Sequence, residues 1–439
     1  MRFYSNTYKT IICSLGLLVG SASFAQNQTY SPYSRFGIGE VNGATSSFQK
    51  LSLGSDIAFT SPQFLNFTNK ASLPSLQSPV FDVSFAYNST QLKNAEGTQG
   101  LSSGAIGGLI LALPMNKGFA ASLAITPVSS VGYKSTSTLV QDSIEGKVIN
   151  EGFGGINDAQ GTIAYNFLEG QDSSYFGLSV TAAYTFGSIN RDRSIEFDDT
   201  YFKNTRNSTS LSVSDVRFEF GALYSTYLSE KSKICVGIVY TPTSVMNRSY
   251  NDLTQHYTTN SVGTESFKDT VSYISEKEGK ITLPSSLNIG LSYTLNNQLT
   301  LSASMKNSKW SEYSQTIDGV ETNLGNTDLT EFAFGVRLKP SVKRTMNESV
   351  LKQSTISLGA KLSNGYVSVA GEDVASKAVS LGVSMPLRRS NSNTFFHLGT
   401  EFGSRGEKDL IQENYVKVFF GLSISPKSVD KWFYKRKYN

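Results

Sequence analysis

Residues 178–187, "LSVTAAYTFG", alternate between two kinds of side chain. Leu178, Val180 and Tyr184 belong to one set, and small or polar residues such as Ser179 and Thr181 stand between them. A period of two places alternate residues on opposite faces of an extended chain. This stretch therefore predicts a β-strand with one apolar face and one small or polar face.

The same alternation recurs from residue 80 to residue 424, in segments of about ten residues, and helical periodicity is nearly absent. It is clear in the stretches 81–88, 216–225, 234–240, 287–293, 332–338, 379–385 and 418–424. We expect fourteen strands, starting near residues 80, 104, 119, 159, 175, 211, 232, 281, 298, 329, 354, 377, 394 and 414.

A β-sandwich and a membrane barrel both produce this pattern, and three features favour the barrel. The segments are long and often end in an aromatic residue, and the polar face carries charges that a dry core would not tolerate unpaired. Short connections also alternate with long ones, which we expect to be loops at 134–157, 188–210, 246–280 and 306–328. Because open edges are costly in lipid, the sequence predicts an all-β, closed antiparallel transmembrane β-barrel over residues 80–424.

The two ends of the chain have other signatures. Residues 1–25 form a predicted signal peptide, with the apolar core "IICSLGLLVG" and the small-residue cleavage site "SFA". With an even strand number, we expect an outer-membrane protein of a Gram-negative bacterium with both termini in the periplasm. Residues 425–439 form a tail that suits a lipid headgroup surface or a periplasmic protein partner better than a merely solvated end. The contact residues would be Trp432, Phe433, Tyr434, Lys435, Arg436 and Lys437.

Several function classes find no support in the sequence. The net charge of +4 is small, so nucleic acid is not an expected partner. One cysteine, Cys235, remains after the signal peptide, and no metal-ligand spacing, phosphate loop or nucleophile elbow occurs. We therefore expect no catalytic site, no metal and no cofactor.

Residues 26–79 precede the first strand and lack its period; they include "SPYSRFGIGE" at 31–40. The chain resembles the FadL/TodX family of outer-membrane transport proteins, in a divergent branch of unassigned function. The resemblance rests on this opening motif, on "NKASL" at 69–73, where Lys70 replaces the proline of the family's Asn-Pro-Ala signature, and on the last strand "IQENYVKVFFGLSIS".

The resemblance implies that residues 26–79 are a plug inside the barrel, although a disordered periplasmic leader remains the alternative. The implied plug residues are Tyr33, Arg35, Phe36, Gly37, Gly39, Asn69 and Ala71. Aromatic residues would pack on the wall, and Arg35 would pair with Glu219 or Glu331. Pro127 and Gly132 would form a kink that opens the wall laterally, unless the strand already stands above the membrane there.

By alternation, nine ionisable residues face the lumen: Asp82, Arg217, Glu219, Glu331, Arg337, Lys361, His397, Glu401 and Lys417. Their mixed signs favour anchoring a plug over selecting ions. His397 and Glu401 are expected to pair with each other as a structural contact.

Two functions remain open. One is uptake of a hydrophobic small molecule, released laterally to lipid or to the periplasm. The other is a barrel subunit that docks protein partners in an outer-membrane secretion or assembly complex. A general porin is disfavoured, because a plug would obstruct diffusion. An apolar cavity in the lumen would support uptake, and a lumen filled by residues 26–79 would support docking.

Overall fold

The computed structural model describes residues 29–425 except 44–45, 96, 142–143, 170–173, 198, 200, 261, 318–319, 324–325, 341–348, 370, 388–393 and 408–409. The predicted signal peptide and the tail residues 426–439 lie outside the described residues. Among the described residues, no helix is long and apolar enough to cross a membrane.

Fourteen antiparallel strands form a closed barrel, which confirms the predicted fold. Closure is made by the last strand pairing with the first, from Phe81 opposite Ile424 to Lys93 opposite Gln412. The strands are β1 (Val80–Lys93), β2 (Thr98–Pro114), β3 (Phe119–Gln141), β4 (Ile144–Asn166), β5 (Ser174–Phe197), β6 (Asn204–Ser229), β7 (Ser232–Thr241 and Ser244–Thr259), β8 (Glu265–Leu283 and Ser286–Leu295), β9 (Leu299–Ser308), β10 (Leu329–Leu338), β11 (Thr355–Ser363), β12 (Ser376–Pro386), β13 (Phe395–Arg405) and β14 (Gln412–Ile424).

The two faces of the strands have the predicted composition. On β5, Val180 is 50% exposed on the outer face, whereas Thr181 beside it is 2% exposed on the inner face. Leu381 on β12 and Phe402 on β13 are likewise exposed outward. An apolar outer surface is favourable when it contacts lipid and unfavourable when it contacts water. The alternation therefore follows from the lipid that surrounds the barrel.

Three of the four long connections are not loops, and that expectation is wrong. The hairpins β3–β4, β5–β6 and β7–β8 continue as paired strands well beyond the neighbouring strands. Together they form an upper sheet, which comprises residues 131–141, 144–156, 187–197, 204–213, 244–259 and 265–283. Residues 309–328 do form a connection, which contains the short strands Ser314–Ile317 and Val320–Asn323. We call the end of the barrel with the upper sheet the hairpin end, and the opposite end the short-turn end.

The N-terminal segment, residues 29–79, lies inside the barrel. It forms the turn Pro32–Arg35, a short strand Glu40–Val41, a helical turn Ser47–Lys50 and the turn Lys70–Ser75. Glu40–Val41 pairs with Ser129–Ser130 of β3, and Thr29 is 4% exposed.

Glycines on the inner face of the wall make room for this segment. A Cβ atom at Gly237 would lie 2.5 Å from the carbonyl oxygen of Ile57, and one at Gly359 would lie 2.8 Å from the carbonyl carbon of Ser52. The same crowding occurs at Gly290, Gly335, Gly382, Gly399 and Gly421. The N-terminal segment thus touches the wall at glycines on strands from β7 to β14.

Gly237→Leu should therefore loosen the segment. Overpacking of this kind typically costs about 1–3 kcal/mol, and we expect a lower unfolding temperature in detergent and faster protease cleavage within residues 47–76. Gly104→Leu is the matched control, since a Cβ atom there would meet nothing within 4 Å. Equal unfolding temperatures and cleavage rates for the two variants would contradict the close contact.

Candidate functional site

The opening stretch of the N-terminal segment is fixed against β3 near the hairpin end. Tyr33 is 6% exposed and its hydroxyl donates to the carbonyl of Ile411 at 2.5 Å. Gly37 and Gly39 have φ values of +56° and +96°, in the left-handed region that favours glycine. A Cβ atom on Gly39 would also lie 2.5 Å from the carbonyl oxygen of Ser130. The glycine spacing of this stretch is therefore required by its path along the wall.

Two residues of this stretch do not behave as expected. Arg35 is exposed and pairs with neither Glu219 nor Glu331; its carbonyl instead accepts a hydrogen bond from Arg191 at 3.4 Å. Phe36 is 36% exposed and so is only partly packed. The carboxylates predicted for Arg35 pair with lysines instead: Glu219 with Lys70 of the segment and Glu331 with Lys361 of β11.

The stretch 69–73 joins the segment to β5 and β6. The side chain of Asn69 accepts from the amide of Ala71 at 3.2 Å and donates to the carbonyl of Ala222 at 2.9 Å. The carbonyl of Ala71 accepts from the hydroxyl of Tyr175 at 2.5 Å. Lys70, which stands where the FadL/TodX signature has proline, forms an ion pair with Glu219 at 2.5 Å. The departure from that signature thus creates a contact between segment and wall.

The most deeply buried charge pair joins Arg337 of β10 to Asp56 of the N-terminal segment. The two residues are 4% and 0% exposed, and the guanidinium group of Arg337 contacts the Asp56 carboxylate directly. It also donates to the hydroxyl of Ser52 at 2.6 Å and lies 4.0 Å from the centre of the Phe48 ring. Removing one partner of an ion pair at this depth strongly destabilises the folded protein, because the other charge stays buried without a counter-ion.

A second charge cluster holds the segment at the hairpin end. Glu40 pairs with Arg405 of β13 at 3.2 Å and with Lys417 of β14 at 3.3 Å, and Arg405 also pairs with Glu413 at 3.0 Å. Burial alone would raise the pKa of Glu40, but Arg405 and Lys417 hold that pKa well below its usual range. Glu40 therefore stays ionised beside Arg405 and Lys417.

Other predicted luminal residues also point inward and bind neighbours. Asp82 accepts hydrogen bonds from the amide and hydroxyl of Ser47, both at 2.9 Å. Arg217 pairs with Asp158, and Lys361 pairs with Glu331 at 3.7 Å.

The predicted pair of His397 with Glu401 does not form. His397 is 1% exposed and its ring nitrogens bond to Ser384 at 2.8 Å and Ser423 at 2.9 Å. Glu401 accepts from the hydroxyl of Tyr415 at 3.0 Å. Residues four apart share a strand face but stand about 13 Å apart along the strand, which is too far for a hydrogen bond.

The wall is incomplete between β2 and β3. The two strands pair only where Leu109–Pro114 of β2 lies beside Ala120–Ile125 of β3. Nearer the hairpin end, β3 pairs with Glu40–Val41 of the N-terminal segment instead. Pro127 marks the divergence, since the β3–β4 register shifts between Pro127 and Ser129. Gly132 lies above it, and its carbonyl accepts from the amide of Ser31 at 2.9 Å. The expected kink at Pro127 thus coincides with a bulge beside a gap.

Two cavities of about 250 Å³ each remain beside the segment, and both reach Pro127. The first is lined by charged side chains that include Lys50, Glu401 and Lys417, and the second by Asp158 and Arg217. Among the described residues, no group of three or more potential metal ligands occurs. The tail residues Trp432, Phe433, Tyr434, Lys435, Arg436 and Lys437 lie outside the described part of the chain.

Sequence reasoning missed Glu40, Asp56, Lys70 and Arg405. The first three lie in a segment without periodicity, so no pattern indicated their direction. The signal that could have found them is the charge balance: the inward face of the wall carries basic residues that need acidic partners, and the N-terminal segment supplies Glu40 and Asp56.

Asp56→Ala should leave Arg337 buried without its anion. We expect a loss of about 3–5 kcal/mol in the free energy of unfolding, measured by denaturant titration of the barrel in detergent. Glu312→Ala, which removes an exposed pair with Lys309, is the control and should cost less than about 1 kcal/mol. If Asp56→Ala lowers the free energy of unfolding no more than Glu312→Ala does, the Arg337–Asp56 pair does not fix the segment.

Solved structures of similar fold include a FadL homologue and two toluene transporters. A FadL homologue from Pseudomonas aeruginosa has a TM-score of 0.55 at 12% identity, covering 89% of this chain and 99% of that chain. The toluene transporter TodX from Pseudomonas putida has a TM-score of 0.54 at 14% identity, covering 89% and 99%. The toluene transporter TbuX from Ralstonia pickettii has a TM-score of 0.51 at 13% identity, covering 88% and 98%. At these identities the likeness is one of fold.

No curated protein matches the sequence. The BamG family model, in contrast, matches residues 7–439, nearly the whole chain. The expected resemblance to the FadL/TodX family is thus matched in fold, and the sequence itself matches the BamG family model. This FadL-like outer-membrane barrel belongs to the BamG family.

Proposed function

We propose that this protein is a non-transporting barrel subunit that docks protein partners in an outer-membrane secretion or assembly complex. The observation that carries the proposal is the filled lumen: the N-terminal segment is held to the wall by the Arg337–Asp56, Lys70–Glu219 and Glu40–Arg405 ion pairs. A transport route would have to break several of these buried contacts in each cycle.

The remaining space in the lumen supports the same choice. A site for a hydrophobic molecule is typically a largely apolar pocket of about 300–1,000 Å³. The two cavities here are instead lined by charges of both signs, such as Lys50 and Glu401. The family name BamG has the form of a lettered subunit name, which also favours a complex.

The proposal includes the ends of the chain. Residues 1–25 would be removed as a signal peptide, the N-terminal segment would act as a permanent plug, and residues 425–439 would contact a periplasmic partner or the headgroup surface. No catalytic step, cofactor or nucleic acid forms part of the proposed role.

Uptake of a hydrophobic molecule is the second candidate, and the gap between β2 and β3 favours it. Two neighbours in fold are described as toluene transporters. Passage through the gap would require the segment to move away from Ser129–Ser130, where Glu40–Val41 is paired with β3.

A disulfide that fixes the segment to the wall would distinguish docking from uptake, because only uptake requires the segment to move. Ser55 and Ser302 are suitable positions, since their hydroxyl oxygens are 2.9 Å apart across the segment–wall contact. In the oxidised Ser55→Cys/Ser302→Cys variant, gently solubilised from native membranes, we expect the same stoichiometric protein partner as in wild type, identified by mass spectrometry. Reduced protein and Ser55→Cys alone are the controls.

The opposite result would favour uptake. It would consist of a barrel without a stoichiometric partner, together with oxidation-dependent loss of uptake of a labelled fatty acid or toluene. Deletion of residues 430–439 tests the tail separately, and we expect it to weaken partner recovery without changing barrel stability.

A further inference from the structure

The first of the two cavities is lined by a lysine and a glutamate that form no ion pair among the described residues. The ammonium group of Lys50 donates to the hydroxyl of Ser84 at 3.0 Å. The carboxylate of Glu401, which is 5% exposed, accepts from the hydroxyl of Tyr415 at 3.0 Å. Asp82 and Glu401 act on Lys50 only from longer range. Because a buried charge without a counter-ion is unfavourable, a ligand that carries both signs of charge would be stabilised here.

Two uncharged side chains of the same cavity have polar atoms without hydrogen-bond partners. Asn88 of β1 and Ser103 of β2 are directly opposite each other, and both line the cavity. Ser103 is 2% exposed, and among the described residues its hydroxyl and the side-chain oxygen of Asn88 have no partner. Lys417 lies opposite Asn88 on β14, and Glu401 lies opposite Lys417 on β13. Four neighbouring strands thus present polar groups to one part of the lumen.

The cavity reaches the gap between β2 and β3. Its lining includes Ile106 and Gly107 of β2 and Pro127 of β3, which stand on the two sides of the gap. Gly107 is left unpaired where the β1–β2 register shifts, and a Cβ atom there would overlap the ammonium group of Lys50. The bulge and the glycine therefore bring the charge of Lys50 to the opening in the wall.

An apolar groove lies on the outer surface beside the same gap. It has a volume of about 440 Å³, and its lining includes Leu109, Leu123, Ile125 and Gly161. Leu109 and Ile125 form the last residue pair between β2 and β3 before the gap. A charged cavity inside the wall and an apolar groove outside it therefore meet at one opening, which is the arrangement that an amphiphile requires.

The cavity also lies at the depth of lipid headgroups. On β1 the outward residues are apolar up to Tyr87, which is 50% exposed, and polar beyond it at Ser89 and Gln91. Tyrosine is typical of the membrane interface. Asn88, the next residue after Tyr87, points into the cavity at this level. The cavity therefore lies beside the headgroup layer on the side of the hairpin end.

We propose that this cavity binds the phosphate-bearing headgroup of a membrane lipid, which enters through the gap while its acyl chains lie in the outer groove. Lys50 binds the phosphate, and Glu401 and Asn88 accept hydrogen bonds from amine or hydroxyl groups of the headgroup. A free phosphate would not need the groove, and a ligand with a carboxylate alone would leave Glu401 unmatched. The inference does not depend on the proposed function, since a bound lipid is compatible with a fixed segment.

The test uses full-length protein purified from its native membrane in a mild detergent. We expect wild type to retain a phosphate-bearing lipid in stoichiometric amount, measured by native mass spectrometry and by phosphorus analysis of the extracted lipid. Lys50→Met should lower this retention at least tenfold. Gly161→Leu should do the same from the outer side, where a Cβ atom meets only Leu123 at 4.0 Å. Lys377→Met is the matched control, because Lys377 is an exposed lysine of β12 and attracts headgroups only non-specifically.

A second measurement identifies the source of the phosphate. After delipidation, phosphatidylethanolamine in nanodiscs should raise the unfolding temperature of wild type but not of Lys50→Met, because a ligand stabilises the state that binds it. Equal lipid retention by Lys50→Met and Lys377→Met would overturn the site, and so would wild type without a stoichiometric lipid. An equal rise with inorganic phosphate alone would show a site for a free anion and would overturn the lipid assignment.

Discussion

The inner wall of this barrel is shaped to accept a second layer of backbone. Gly237, Gly359 and other inward glycines let the N-terminal segment approach to contact distance, because any side chain there would overlap the segment. The rest of the lumen depends on that contact. Once the backbone of residues 51–71 is in place, Asp56 meets Arg337 and Lys70 meets Glu219, and only small cavities remain. A barrel of similar fold with an open lumen would need neither the glycines nor the ion pairs.

Electrostatics explains why the lumen can be both charged and closed. Arg337, Arg405 and Lys417 project into the lumen, and each is matched by a carboxylate that the segment carries. Such pairs contribute little net stability over an apolar core, but they fix the segment in one register, since an unpaired buried charge is strongly unfavourable. The lumen is therefore specific for its own N-terminal segment.

Much of the wall could be predicted from the sequence, and the segment could not. Alternation identified the inward direction of Asp82, Arg217 and His397, because lipid on one side enforces a strict period of two. Outside the membrane no lipid-facing side requires apolar residues at alternate positions. The polar residues at 246–280 therefore lack the alternation and are predicted as a loop, although they form strands. Within the N-terminal segment there is no period at all, and Asp56 became visible only when the fold placed it beside Arg337. The expected pair of His397 and Glu401 does not form because the two residues lie too far apart along the strand. Alternation predicts which face a side chain occupies, but not how far it lies from another side chain on that face.

The central claim is that the N-terminal segment is a permanent part of the barrel rather than a movable gate. Hydrogen–deuterium exchange of the protein in outer-membrane vesicles tests it most directly. We predict that backbone amides in residues 47–76 exchange as slowly as those of β12–β14, because the segment is buried against the inner face of those strands. Rapid exchange of residues 47–76 with the wall still protected would show that the segment leaves the lumen, and would contradict the account.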